Sequence, residues 1–235
     1  MTKYSDYRSN GPAVLELHRE LRPAYDNLIC CHDRHFDLVK AICGTNGPDE
    51  TTPLFQCDLV ILSVLNRSLD LVDGFLWSFN RWNLSTSAPA VRMQVDNVLR
   101  LALLSQAGPG PVVDVLLSGG PLHKEIDPLA LPGQKTKLTD KCLREHARDR
   151  FPWLDLVYEK SSGWVHFSSV HIAVTMKVTG DGRIYGRFPS DISGYSFEFL
   201  EQVLWAMSES TGGVLEIATE FAEAKRHASV GWERG

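Results

Sequence analysis

The residues best equipped for chemistry lie between Tyr158 and His171, in YEKSSGWVHFSSVH, where a tyrosine, a lysine, serines, a tryptophan and two histidines crowd one short stretch. Imidazole is the side chain that titrates nearest neutrality, which makes His166 the first candidate for a general acid or base. Ahead of it, Tyr158, Lys160 and Ser161 offer a phenol, an ammonium and a hydroxyl, groups that bind or polarise an oxyanion. The competing reading is that these groups are helix caps and satisfied hydrogen-bond partners, as most buried polar groups are.

A second set of candidates rests on helical spacing. Arg92 and Asp96 stand at i and i+4, and Arg92 projects between Leu99 and Leu103 in an apolar sector, which predicts a partly buried Arg and Asp pair. One helix earlier, Asp58, Asn66 and Asp73 share a sector with Leu62, Leu65, Leu69 and Val72. Buried carboxylates need donors such as Arg92 or Arg67, and a polar pocket lined by Arg92, Asp96, Asp73 and Asn66 is the expected consequence. For Asp58 a wet helix end is the favoured reading.

Lys135, Lys137, Lys141, Arg144, Arg148 and Arg150, set against Asp140, Glu145 and Asp149, form the only basic stretch. It reads as a solvated helix face or as a phosphate-contacting surface for RNA, with salt-dependent affinity in the second case. CCHDRHFD contains ligand-type residues, yet His32 falls on an apolar stripe and neither HExxH nor CxxC occurs, so no metal or other cofactor is indicated. PGQKTK lacks the glycine spacing of a phosphate-binding loop, and no GxSxG elbow supports a serine nucleophile.

The elements that must position these groups are mainly helical. Apolar periodicity predicts helices over Ala13–Leu21 and Ala24–Cys43 with a break at Pro23, over Leu54–Trp82 as the central helix, and over Ala88–Gln106. Further helices are expected near Val112–Leu117, from an N-cap at Thr139 to Arg150, from Pro152 to Lys160, and over Tyr195–Arg226 with a kink at Gly212 and Gly213. GTNGPDETTP is a connector, and Ser118 to Lys137 a long loop. HIAVTMKV and RIYGRF alternate around the turn TGDG, which predicts a β-hairpin at about 170–189. The expected fold is mainly α, a single helical bundle over 13–235 with one late β-hairpin, preceded by a flexible N-terminus at 1–12.

With 235 residues, 43% hydrophobic and 23% charged, the chain has enough apolar content for one core. A net charge of −5 argues against a general nucleic-acid coating protein. No apolar run reaches the length of a membrane span, and the first residues lack the apolar stretch of a secretory signal, so a cytoplasmic location without membrane contact is expected. Five cysteines, an odd number without a CxxC pair, encode neither a disulfide framework nor a zinc ribbon, and four of them sit among apolar neighbours and read as reduced core residues.

Lys160, Ser161, four residues and then His166, following helices, resemble a degenerate form of the Arg-polar-x(4 to 6)-His motif of the HEPN superfamily of helical proteins. YEKSSGWVHFSSVHI is also similar to a recurring pattern in an uncharacterised bacterial branch of such proteins. The resemblance implies an RNA-directed protein, a metal-independent ribonuclease in bacterial defence or stress response, with its site at a homodimer groove. Lys160 would stand where the family has Arg, Ser161 where it has a polar residue, and His166 where it has the catalytic His. Two readings stand beside it: a non-catalytic interaction or dimerisation module, favoured by a lysine point charge in place of the arginine fork, and a small polar ligand-binding pocket.

Overall fold

A computed structural model describes residues 13–44, 54–107, 109–119, 138–166, 176–186 and 195–232. Helix α1 (Ala13–Leu17) leads through a 3-10 turn, Arg19–Leu21, into α2 (Arg22–Cys43). Pro23 lies in the first turn of α2, where its missing N–H costs no helical bond, and Gly44 ends the helix in the left-handed conformation at φ 68°. Then come α3 (Gln56–Phe79), α4 (Leu84–Ala107), α5 (Pro109–Leu117), α6 (Asp140–Ala147), α7 (Leu154–Val165) and α8 (Phe197–Trp232).

The hub of the bundle is α4, which packs against α3, α5, α6, α7 and α8, while α8 also lies along α2. Ala88, Val91, Val95, Val98, Leu99 and Ala102 of α4 are buried against Val203, Leu204, Met207 and Val214 of α8 and Val157 of α7 in one core. The expectation that the Leu54–Trp82 helix is central is corrected, since α3 leaves Leu59 and Trp77 about half exposed. An all-round apolar pattern predicts a buried α3, but α4, with alanines and valines that admit close neighbours, is the helix that packs against five others.

Thr139 caps α6 as its sequence indicates, accepting a hydrogen bond from the Cys142 amide at 3.4 Å. Helix α7 outruns its expected end, passing through Gly163 to Val165 and presenting His166 as its C-cap. Helix α8 runs on through Gly212 and Gly213. Gly213 is a packing residue: a Cβ there would lie 3.2 Å from the Trp153 ring and 3.3 Å from Val98.

The expected late β-hairpin is the main correction. Between 170 and 189 the described residues form only a three-rung antiparallel ladder, β1 (Met176–Val178) with β2 (Ile184–Gly186). On the face that carries Met176 and Ile184 the two side chains are 44% and 66% exposed, so a ladder of this length is an appendage of the helical bundle and not a layer of it. Alternation gave a local turn, closed by Gly182 at φ 79°, without the apolar surface that would make it a sheet. The architecture is a helical bundle. The expected flexible N-terminus, the connector from 45 to 53 and most of the long loop, with Lys135 and Lys137, lie outside the described residues.

Candidate functional site

Four-residue spacing on α4 puts Arg92, Asp96 and Arg100 on one stripe, and α6 and α7 bring Asp140, Arg144, Asp155 and Tyr158 to it. Arg92 Nη2 donates to Asp140 Oδ2 at 2.5 Å and to the Tyr158 hydroxyl at 3.0 Å. The Tyr158 hydroxyl donates in turn to Asp140 Oδ2 at 3.1 Å, which closes a triangle across three helices. Arg92 Cζ and Arg144 Cζ each lie 4.2 Å from the centre of the Tyr158 ring, so both guanidinium groups are held against its π-system. Arg144 also pairs with Asp155 at 3.0 Å.

Arg100 bonds Asp96 at 2.9 Å and lies 3.9 Å from the other Asp140 oxygen, and Asp96 accepts from Arg67 of α3 at 3.2 Å. The expected Arg92 and Asp96 pair is thereby corrected: each has a different partner, because α6 delivers Asp140 to Arg92. Four arginines meet three aspartates here. Arg100 Nη1 and Arg144 Nε are buried and find no acceptor among the described residues. A buried donor left without a partner costs roughly 1–3 kcal/mol, more when it is charged.

From Arg67 the same network continues into the core through Asn97, Gln94, Ser68 and Thr211, which the sequence does not single out. Arg67 donates to Asn97 Oδ1 at 2.6 Å, Asn97 to Gln94 Oε1 at 3.0 Å, and Gln94 to Ser68 at 2.5 Å and Thr211 at 3.2 Å. Ser68 meets His35 Nε2 at 2.8 Å, and His35 Nδ1 meets the Cys31 carbonyl at 2.8 Å. Nδ1 therefore donates to the carbonyl and Nε2 accepts the Ser68 proton, which fixes a neutral tautomer. Burial lowers the His35 pKa to about 4, against a weaker opposing effect from the Cys31 carbonyl. The available signal was the position of Gln94 and Asn97 among Val91, Val95 and Val98, since amides in an apolar stripe must find partners inside.

One turn before His35, His32 has the opposite character. Its Nε2 lies 3.0 Å from Asp73 and its Nδ1 3.5 Å from Asp33, and the hydrogen bond to Asp73 raises its pKa. Asp73 is thus spent on α2, and exposed Asn66 reaches Asp70 on its own helix at 3.5 Å. Neither joins Arg92 and Asp96, so the expected four-residue pocket is not assembled. Asp58, read as wet, is completely buried: its Oδ2 accepts from Lys225 of α8 at 2.6 Å and from the Phe55 amide at 2.7 Å.

The residues between Tyr158 and His166 do not converge. Lys160 Nζ donates to Gln202 of α8 at 2.9 Å, and buried Ser161 donates to the Tyr158 carbonyl at 3.2 Å. His166 is exposed, and its backbone amide donates to the Ser162 carbonyl at 3.3 Å. Of this group only Tyr158 enters the polar junction, through its hydroxyl and its ring. In the basic stretch, Arg144 is turned inward to Tyr158, while exposed Lys141 stands 3.9 Å from Glu145 and Arg148 3.9 Å from Asp149. No described helix is long and apolar enough to cross a membrane. No family model, curated protein or solved structure matches the chain.

Proposed function

We propose that this chain is a non-catalytic binding module that takes a small anionic ligand at the junction of α4, α6 and α7. The observation that carries this reading is the convergence of Arg92, Arg100 and Arg144 around Asp140 and Tyr158. Arginine forks match the planar or tetrahedral oxygens of carboxylate and phosphate, and partial burial strengthens such contacts relative to open solvent. Two buried guanidinium N–H groups without acceptors among the described residues favour an external oxyanion. Calorimetric titration with inorganic phosphate at fixed ionic strength tests this. Saturable binding that Arg92→Gln removes is the expected result, and equal heats from both proteins would refute it.

The RNA-directed, HEPN-like reading remains the second proposal, because His166 is exposed at the end of α7 and accessible to a substrate strand. Against it stand the Gln202 bond of Lys160 and the inward bond of Ser161, which leave His166 without a bonded acid or base partner in that motif. The discriminating assay is cleavage of a mixed RNA pool in chelator by the wild type and by His166→Ala. Cleavage that the variant loses while remaining folded would displace the binding-module reading.

A further inference from the structure

We infer that the ligand of this junction carries a terminal phosphate group, and that Asp140 is its built-in competitor, holding the arginines until the phosphate takes its place. The inference rests on the anion-binding reading above and identifies both the ligand class and the way the site is kept closed.

Asp140 is the first residue of α6, directly after the Thr139 cap. Its carboxylate spans Arg92 and Tyr158 through Oδ2 and approaches Arg100 through Oδ1, so one side chain occupies the centre of the arginine cluster. The carboxylate is one third exposed, whereas the Arg92 and Arg144 side chains keep less than one fifth of their surface. The competitor is therefore the accessible member of the pair. A carboxylate offers two oxygens and one charge. A phosphate monoester offers three oxygens and up to two charges, enough to replace both Asp140 contacts and still reach the guanidinium N–H of Arg100 that has no acceptor among the described residues. A phosphodiester inside a nucleic-acid strand has one charge and only two free oxygens, too few to replace Asp140 at Arg92 and Tyr158 and also serve Arg100. Asp96 and Asp155 keep Arg100 and Arg144 in position during the exchange.

The test uses inorganic phosphate, with a single-stranded RNA oligonucleotide as the second probe, on the wild type and on Asp140→Asn. The variant keeps an acceptor for Arg92 and Tyr158 but loses the charge. It is expected to bind phosphate at least about tenfold more tightly, the factor that corresponds to about 1.4 kcal/mol of relieved repulsion. Hydrogen exchange on the wild type provides a readout independent of the variant's folding: phosphate should speed exchange of the Cys142 and Leu143 amides, which are bonded to Thr139 in the first turn of α6, as Asp140 is released. Phosphate binding that is unchanged in Asp140→Asn, with no faster exchange in α6, overturns the competitor role and leaves the binding module intact. Binding of RNA without binding of phosphate overturns the ligand class. Absence of phosphate binding in both proteins overturns this inference and the anion-binding reading together.

Discussion

Removing one amine from the far end of the bundle tests how the long last helix is held. Lys225 of α8 is 8% exposed at its side chain and meets Asp58, which is fully buried, at 2.6 Å; it also donates to the Ile42 carbonyl at 2.7 Å. One ammonium thus ties the C-terminal turn of α2 to the N-terminal turn of α3 and both to α8. In Lys225→Met the Asp58 carboxylate keeps the Phe55 amide but loses its counter-charge in a place with no access to water. Stranding one member of a buried ion pair costs about 3–5 kcal/mol. For a chain of this size that lowers the melting temperature by roughly 6–20 °C, at about 2–4 °C per kcal/mol. Thermal and urea unfolding followed by circular dichroism measure both quantities. Asp58→Asn in the Lys225→Met background should recover part of the loss, because a neutral amide is cheaper to bury than an unpaired carboxylate. A loss below about 1 kcal/mol for Lys225→Met, or no recovery in the double variant, refutes the claim that this pair is buried and closed to solvent.

Other outcomes follow from single sites. His35 is held neutral with its pKa at about 4 against an ordinary 6.5, so its contribution is complete above 6.5 and is lost as pH falls toward 4. That loss is on the order of 3 kcal/mol, and His35→Gln should flatten the acid limb of an unfolding profile; an unchanged limb would contradict the neutral assignment. His32 works in the other direction: its raised pKa makes the Asp73 bond worth most below 6.5, and that part of the stability fades as pH rises through the folded value. His32→Gln should remove this alkaline decline. Gly212→Ala, where nothing lies within 4 Å of the new Cβ, is expected to stabilise α8 by about 1 kcal/mol. Gly213→Ala should forfeit that gain against Trp153 and Val98, and equal melting temperatures for the two variants would count against the packing role. Tyr158→Phe removes the hydroxyl between Arg92 and Asp140 while keeping the ring, at an expected cost of about 1 kcal/mol in urea unfolding.

Most of the helices were legible because their apolar faces repeat at the helical period and Pro, Gly and Thr139 mark their ends. Two misreadings share one cause. The alternation around Gly182 and the continuous apolar surface of α3 are local patterns, and neither states what neighbour will cover it. The α3 carboxylates failed in the same way. A projection placed Asp58 and Asp73 correctly on a helix but gave no access to Lys225, more than a hundred and sixty residues away, or to His32. Arg92 was recognised as partly buried, and its partner was missed because Asp140 looked like one more charge in a solvated basic segment. The crowding of polar residues from Tyr158 to His166 marks Tyr158, yet the contacts of Tyr158 lie with α4 and α6, across the bundle, and not with His166 further along its own chain.

Anion binding at the α4, α6 and α7 junction is tested most directly by the position of a heavy oxyanion in crystals of the wild-type protein grown with tungstate, a tetrahedral analogue of phosphate located by its anomalous scattering. A peak is expected within hydrogen-bonding distance of Arg92 and Arg100, with Asp140 turned away from them. A peak only elsewhere on the surface, with the Arg92, Asp140 and Tyr158 triangle still closed, would contradict it.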